Sequence, residues 1–109
     1  MADFTALAPR VLMKLEVLGA EDTPSSADFE LAVNKLRAVH AWLKAEHLLQ
    51  WVMNDIPDFA EEPYVMMAAY LTTDEFGQQS KPIWWQTGLA AIESGVNVRN
   101  NGPTQAEYF

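Results

Sequence analysis

The segment from Ser25 to about Glu46 is predicted to form a long helix that is apolar on two sides. Ser25 with Asp28 three residues later is typical of a helix N-terminus. At about 100° per residue, the apolar residues that follow divide into two nearly opposite stripes. The stripes are Phe29, Ala32, Val33, Leu36, Val39, His40 and Leu43, and then Leu31, Ala38, Trp42, Ala45 and Leu49. A chain of 109 residues has few other helices with which to cover both, so we expect the second stripe to contact another subunit.

Three further helices complete the predicted fold, which is an all-α, small four-helix bundle with an extended C-terminal arm. The first covers residues 4–18, with Pro9 in its first or second turn. Another covers residues 60–76, with Glu61, Glu62 and Pro63 in its first turn and Gly77 as its stop. The last is capped by Ser80, has Pro82 in its first turn and ends near residues 93–95. Residues 48–57 are interpreted as an extended connector with room for a short strand. One helical domain, residues 1–95, is followed by the arm, residues 96–109.

The third helix also has apolar residues on more than one side. Tyr64, Met67, Ala68 and Leu71 form one face, and Met66 with Tyr70 begins a second. We therefore predict that Leu36 and Val39 lie in the core of the subunit. The residues predicted to lie in the interface between subunits are Leu31, Trp42, Met66 and Tyr70. Adjacent Trp84 and Trp85 point about 100° apart on a helix, so one core contact cannot bury both.

Net charge and composition exclude several classes of protein. A formal net charge of −8 and seven dispersed basic residues disfavour wrapping of nucleic acid, including by a helix-turn-helix protein. The absence of cysteine excludes disulfides, thiolate zinc sites and cysteine nucleophiles. No window approaches the roughly 18 apolar residues of a membrane span. The N-terminal "MADFTALAPR" lacks a basic start before an apolar run, so we expect no cleaved leader and no membrane partner.

His40 and His47 are the only histidines, and neither is predicted to bind a metal ion. They lie seven residues apart, about 10.5 Å along a helix, which is too far for one ion. His40 belongs to the core stripe and is predicted to be a hydrogen-bonded structural residue, whereas His47 is predicted to end the helix. The carboxylates fall in loops and at helix ends, and no phosphate loop, nucleophile elbow or calcium loop is present. We therefore predict neither an enzyme nor a cofactor.

Two stretches resemble the head-to-tail adaptor family of tailed bacteriophages, which includes the podovirus tail accessory factors. They are "VLMKLEVLGAEDTPSSADFELAVNKLRAVHAWLKAEHLLQW", with Leu12, Leu15, Pro24, Ala32, Leu36 and Trp42, and "YVMMAAYLTTDEFG". The resemblance covers residues 7–77. Family members have glycine where this chain has Glu16 and His47, each at a helix terminus. Their C-terminal extension is often longer and more basic than residues 94–109 of this chain.

The resemblance implies a structural virion protein of the head-tail junction, made in the host cytoplasm and without catalytic activity. The subunits would form a ring, commonly of twelve copies, between the portal protein and a tail or nozzle protein. DNA would pass through the lumen without specific binding. By the same resemblance the arm would dock on portal, with Tyr108 and Phe109 as anchors, Arg99 as a pairing charge, and Gly95 and Gly102 as bends.

A second hypothesis of another class is a helical regulator or adaptor that binds a single cellular protein through the face around Trp42. The two hypotheses predict different assemblies. A virion ring becomes large with portal or at high concentration, whereas a regulator forms a small complex of fixed size.

Overall fold

A computed structural model describes residues 3–19, 22–49, 51–52 and 55–106, with side chains described as far as residue 97. Four α-helices follow one another, and no strand occurs within those ranges, which confirms the all-α prediction. They are α1 (Phe4–Lys14), α2 (Ser26–Ala45), α3 (Asp58–Thr72) and α4 (Pro82–Ala106). A short 3₁₀ helix, Thr73–Phe76, continues α3.

Helix α2 has the predicted bounds and the predicted buried stripe. The Ser25 side chain accepts a hydrogen bond from the backbone N–H of Asp28, at 3.2 Å, and so caps the helix. The side chains that α2 buries are those of Ala32, Leu36, Val39, His40 and Leu43. Residues of the second stripe, among them Leu31 and Trp42, are exposed or half-buried. The chain therefore buries one apolar stripe of α2 and leaves the other at its surface, as predicted.

Three helical segments end in the same hydrogen-bonded turn, with a left-handed residue directly after the helical turn. Glu16, His47 and Gly77 occupy this position with φ of 62°, 59° and 65°. The N–H of the following residue reaches back to a carbonyl five residues earlier: Val17 to Leu12, Leu48 to Leu43 and Gln78 to Thr73. This is the Schellman motif, in which glycine is the usual left-handed residue. The terminal role predicted for His47 is confirmed.

Helices α1 and α3 differ from the prediction at one end each. Helix α1 ends at Lys14, four residues before the predicted limit, because the Schellman turn at Glu16 closes it. Helix α3 begins at Asp58, two residues before the predicted start. Pro63 is therefore the sixth residue of α3 and lies in its second turn.

Helix α4 continues past its predicted end near residues 93–95, and this corrects the start of the arm. Val96 is 5% exposed and belongs to the core, so burial favours continuation of the helix. Gly95 is not a bend, because it lies within α4, and its lack of a β-carbon leaves room for the Phe59 ring. The helix begins at Pro82, so the predicted cap Ser80 lies one residue before the N-cap position. Helix α4 ends at Ala106, and the side chains of the predicted arm beyond residue 97 lie outside those described.

Helix α3 is the centre of the fold. Helices α1, α2 and α3 pack against one another in pairs, whereas the backbone of α4 approaches that of α3 alone. Gly88 allows the close approach of α4, since a β-carbon there would lie 2.9 Å from the Pro63 carbonyl oxygen. The core includes, among its largest buried side chains, Leu7, Leu12, Leu36, Leu43, Ile56, Tyr64, Met67 and Ile92. Leu36 and Val39 are both fully buried, as predicted.

Candidate interaction surface

Three aromatic side chains from three helices meet at the surface of the subunit. The Trp42 and Trp85 rings pack edge to face, with centroids 5.0 Å apart at 77°. The Tyr70 ring lies 5.8 Å from that of Trp85. All three side chains are half-buried. We call Trp42, Tyr70 and Trp85 the aromatic seam, because they bridge α2 and α4 across α3.

Trp84 and Trp85 point to different sides of α3, which confirms that one contact does not bury both. Trp85 reaches α2 through Trp42. Two ammonium groups instead lie over the Trp84 ring. The ring centroid is 5.4 Å from Lys14 Nζ of α1 and 4.7 Å from Lys81 Nζ. Cation–π attraction of this kind stabilises a half-exposed tryptophan. Trp85 therefore contacts α2 and Trp84 contacts α1, so α4 has side-chain contacts on both sides of α3.

The predicted interface residues fall into two groups. Trp42 and Tyr70 meet through Trp85, and Met66 lies one turn before Tyr70 on α3. Leu31 is on the same stripe as Trp42 but lies about 16.5 Å away along α2. All four predicted side chains are half-buried. The prediction omits Trp85, although its position next to Trp84 was a signal that one of the pair would lie at a surface.

The residues predicted to form the portal-binding arm lie outside the described side chains. Arg99 is in the part of α4 for which only the backbone is described, and Tyr108 and Phe109 follow the last described residue. Their predicted roles therefore stay predictions.

A buried hydrogen-bond chain lies on the other side of α3. Trp51 Nε1 donates to the Tyr64 hydroxyl at 3.0 Å, and that hydroxyl lies 2.9 Å from Nδ1 of His40. Tyr64 is fully buried and His40 is 6% exposed. Burial raises the pKa of Tyr64 to about 12, with the Trp51 hydrogen bond acting in the opposite direction. Burial, followed by the charge of Lys44, lowers the pKa of His40.

These contacts fit a neutral His40. Tyr64 accepts from Trp51, and when its O–H donates to Nδ1 of His40, that nitrogen carries no proton. A neutral His40 is also the form that burial favours. The prediction of a hydrogen-bonded core histidine is confirmed, and the sequence pattern missed Tyr64 as its partner. His47 is exposed.

Within the described ranges, no group of three or more histidine, aspartate or glutamate side chains could hold a metal ion. None of the helices described is long and apolar enough to cross a membrane. The aromatic seam is the candidate interaction surface among the described residues.

The sequence matches no protein-family model, and neither a curated protein nor a solved structure shows significant similarity to it.

Proposed function

We propose that this chain is a head-to-tail adaptor of a tailed bacteriophage, which forms a ring below the portal and joins it to the tail. The observation that carries the proposal is the backbone conformation of Glu16 and His47. Both residues are left-handed, at the two helix ends where members of the adaptor family have glycine. A residue with a β-carbon costs about 1–2 kcal/mol in this conformation. Glu16 and His47 disfavour the left-handed turns that they occupy. An ancestor with glycine at both positions would explain why the chain has these turns.

The order of elements supports the same proposal. A short α1 is followed by the loop with Pro24, the long α2, and α3. The 3₁₀ turn Thr73–Phe76 then carries Asp74 and Glu75, and Gly77 closes it in the left-handed conformation. The adaptor family ends its third helix at an acidic, aromatic turn of this kind. These elements cover the length of the resemblance, residues 7–77.

In the proposed ring, we assign the contact between subunits to half-buried residues at the surface of each copy. The aromatic seam, Met66 and Leu31 would be covered by a neighbouring copy, since large aromatic side chains are favoured in interfaces. The assembly would be a ring of twelve copies between portal and a tail or nozzle protein. Each copy has a net charge of −8. The ring would therefore repel DNA phosphates and let DNA slide through the lumen.

Native mass spectrometry of the isolated chain and of the chain mixed with the portal protein of the same phage tests this function. We expect a ring-sized complex with portal and a dominant small species without it at low concentration. A chain that never joins portal, or that forms only a one-to-one complex with a cellular protein, would favour the helical regulator instead.

Truncation tests the proposed role of the C-terminal segment in portal binding. Deleting residues 98–109 retains Val96 in the core and should leave the thermal unfolding midpoint nearly unchanged. Portal binding should be lost if Arg99, Tyr108 and Phe109 supply the contact. The matched control is Val52→Ala, which alters an exposed apolar residue outside that segment and outside the proposed contacts. Unaltered portal affinity of the truncated chain would remove the segment from the mechanism.

A further inference from the structure

The outer face of α4 is exposed and almost uncharged. Between Pro82 and Asn97 the only ionisable residue is Glu93, although charged residues make up 20% of the whole chain. The exposed residues opposite the buried side of this helix are Ile83, Thr87, Ala90 and Ser94. Ile83 is 61% exposed. A solvated helix face normally carries mixed charges, so this composition is typical of a face that another molecule covers.

The outer face of α2 combines small residues with two cations. Asn34, Ala38, Ala41 and Ala45 are exposed there. Arg37 and Lys44, seven residues apart, are exposed along one edge, which also carries Glu30 seven residues before Arg37. In the described part of the chain neither makes an ion pair, whereas Arg10, Lys14 and Lys35 all do. The opposite edge carries Leu31 and Trp42.

The cationic edge of α2 is turned away from α4 of the same copy. Trp85 of α4 contacts Trp42, which lies on the α2 edge opposite Arg37 and Lys44. Glu93 of α4 and the two cations of α2 therefore belong to two different surfaces of one copy. Two different surfaces suit a head-to-tail contact, which forms a ring when its rotation closes.

We infer that the outer face of α2 on one copy binds the outer face of α4 on the next copy, with Glu93 pairing with Arg37 and Lys44. The inference rests on the proposed ring and identifies its subunit contact. Alanines on α2 and small residues on α4 allow the two helices to approach closely. Copies that each carry a net charge of −8 repel one another, so a contact between them needs local charges of opposite sign. A symmetric contact between two α4 helices would leave Arg37 and Lys44 without a partner.

Charge reversal tests the pairing, with sedimentation velocity over a concentration series as the measurement. Glu93→Lys places like charges together, as does the double variant Arg37→Glu/Lys44→Glu. Each should raise the concentration needed for self-association at least about tenfold, which corresponds to about 1.4 kcal/mol. The triple variant Glu93→Lys/Arg37→Glu/Lys44→Glu restores opposite charges. The concentration that it needs for self-association should lie within about threefold of the wild-type value. Asp74→Lys is the control, because it makes the same charge change on the exposed 3₁₀ turn.

All four substituted positions, Arg37, Lys44, Asp74 and Glu93, are exposed, so circular dichroism should show the same helix content for every variant. The inference is overturned if Glu93→Lys assembles like the wild type, or if the triple variant does not recover. The latter result would indicate a symmetric α4 contact or a different partner. A wild-type chain that does not self-associate at any concentration also overturns it. Binding of that chain to portal would still uphold the adaptor function, so the two failures are distinguishable.

Discussion

The Tyr64 hydroxyl lies 2.9 Å from Nδ1 of His40, and both side chains are buried. Since the same hydroxyl accepts from Trp51 Nε1 at 3.0 Å, the three residues form one chain of donors and acceptors. It joins α2, α3 and the connector that precedes α3. Protonating His40 would place two donors on the Tyr64 oxygen and leave its O–H without an acceptor.

We predict that acid destabilises the fold through His40. Its pKa in the folded chain lies below its ordinary value of 6.5 because of burial, so the unfolded chain binds more protons in the window below pH 6.5. The stabilisation is therefore complete above pH 6.5 and is lost as the pH falls through the folded-state pKa. Urea unfolding between pH 5 and 8 should show this slope. The slope should diminish in His40→Gln and persist in His47→Gln; an unchanged slope in His40→Gln would assign the effect to other groups.

Tyr64→Phe should lower the free energy of unfolding by about 1–3 kcal/mol, since it leaves the buried His40 and the half-buried Trp51 without their hydrogen-bond partner. The measurement is urea unfolding followed by tryptophan fluorescence, because Trp51 is one of those two groups. Tyr70→Phe is the matched control. Tyr70 is half-buried, and its hydroxyl makes no hydrogen bond within the described residues, so we expect a change below about 0.5 kcal/mol. Equal losses in both variants would contradict the assigned role of the Tyr64 hydroxyl.

Leu36→Ala and Trp42→Ala should separate folding from assembly. Leu36 is fully buried, so its truncation should cost about 2–5 kcal/mol of subunit stability. Trp42 is half-buried and contacts Trp85 at the surface, so its truncation should chiefly weaken assembly. Thermal unfolding of the dilute subunit and sedimentation at high concentration measure the two effects. If Trp42→Ala unfolds the dilute subunit as severely as Leu36→Ala, the seam serves the subunit core instead.

Replacing Glu16 or His47, the left-handed residues at two helix ends, by glycine should stabilise the chain. Glu16→Gly and His47→Gly remove the cost of a β-carbon at positive φ, and each should raise the free energy of unfolding by about 0.5–1 kcal/mol. Glu30→Gly is the control, because Glu30 is an exposed residue within α2 and glycine there should destabilise by a similar amount. A loss of stability in both helix-end variants would show that the side chains of Glu16 and His47 contribute more than their backbone costs.

Local patterns in the sequence determined the all-α class, the start of α2 and the side of α2 that is buried. These features depend on contacts between residues within about four positions: the Ser25 cap, the 3.6-residue repeat and the left-handed turn at Gly77. The core position of His40 followed from the same repeat, because it shares a stripe with Leu36 and Val39. A pattern of this kind predicts which side of a helix is buried but not what packs against it.

Only the tertiary structure decided which distant residues meet. Tyr64 is the partner of His40, and Trp85 joins Trp42 to Tyr70, through contacts that span 15 or more positions along the chain. The continuation of α4 past Gly95 has the same origin. Glycine normally weakens a helix, but here the Phe59 ring occupies the space beside it and the core buries Val96. The energy gained by packing outweighs the local preference for a helix end, and that energy depends on where α3 lies.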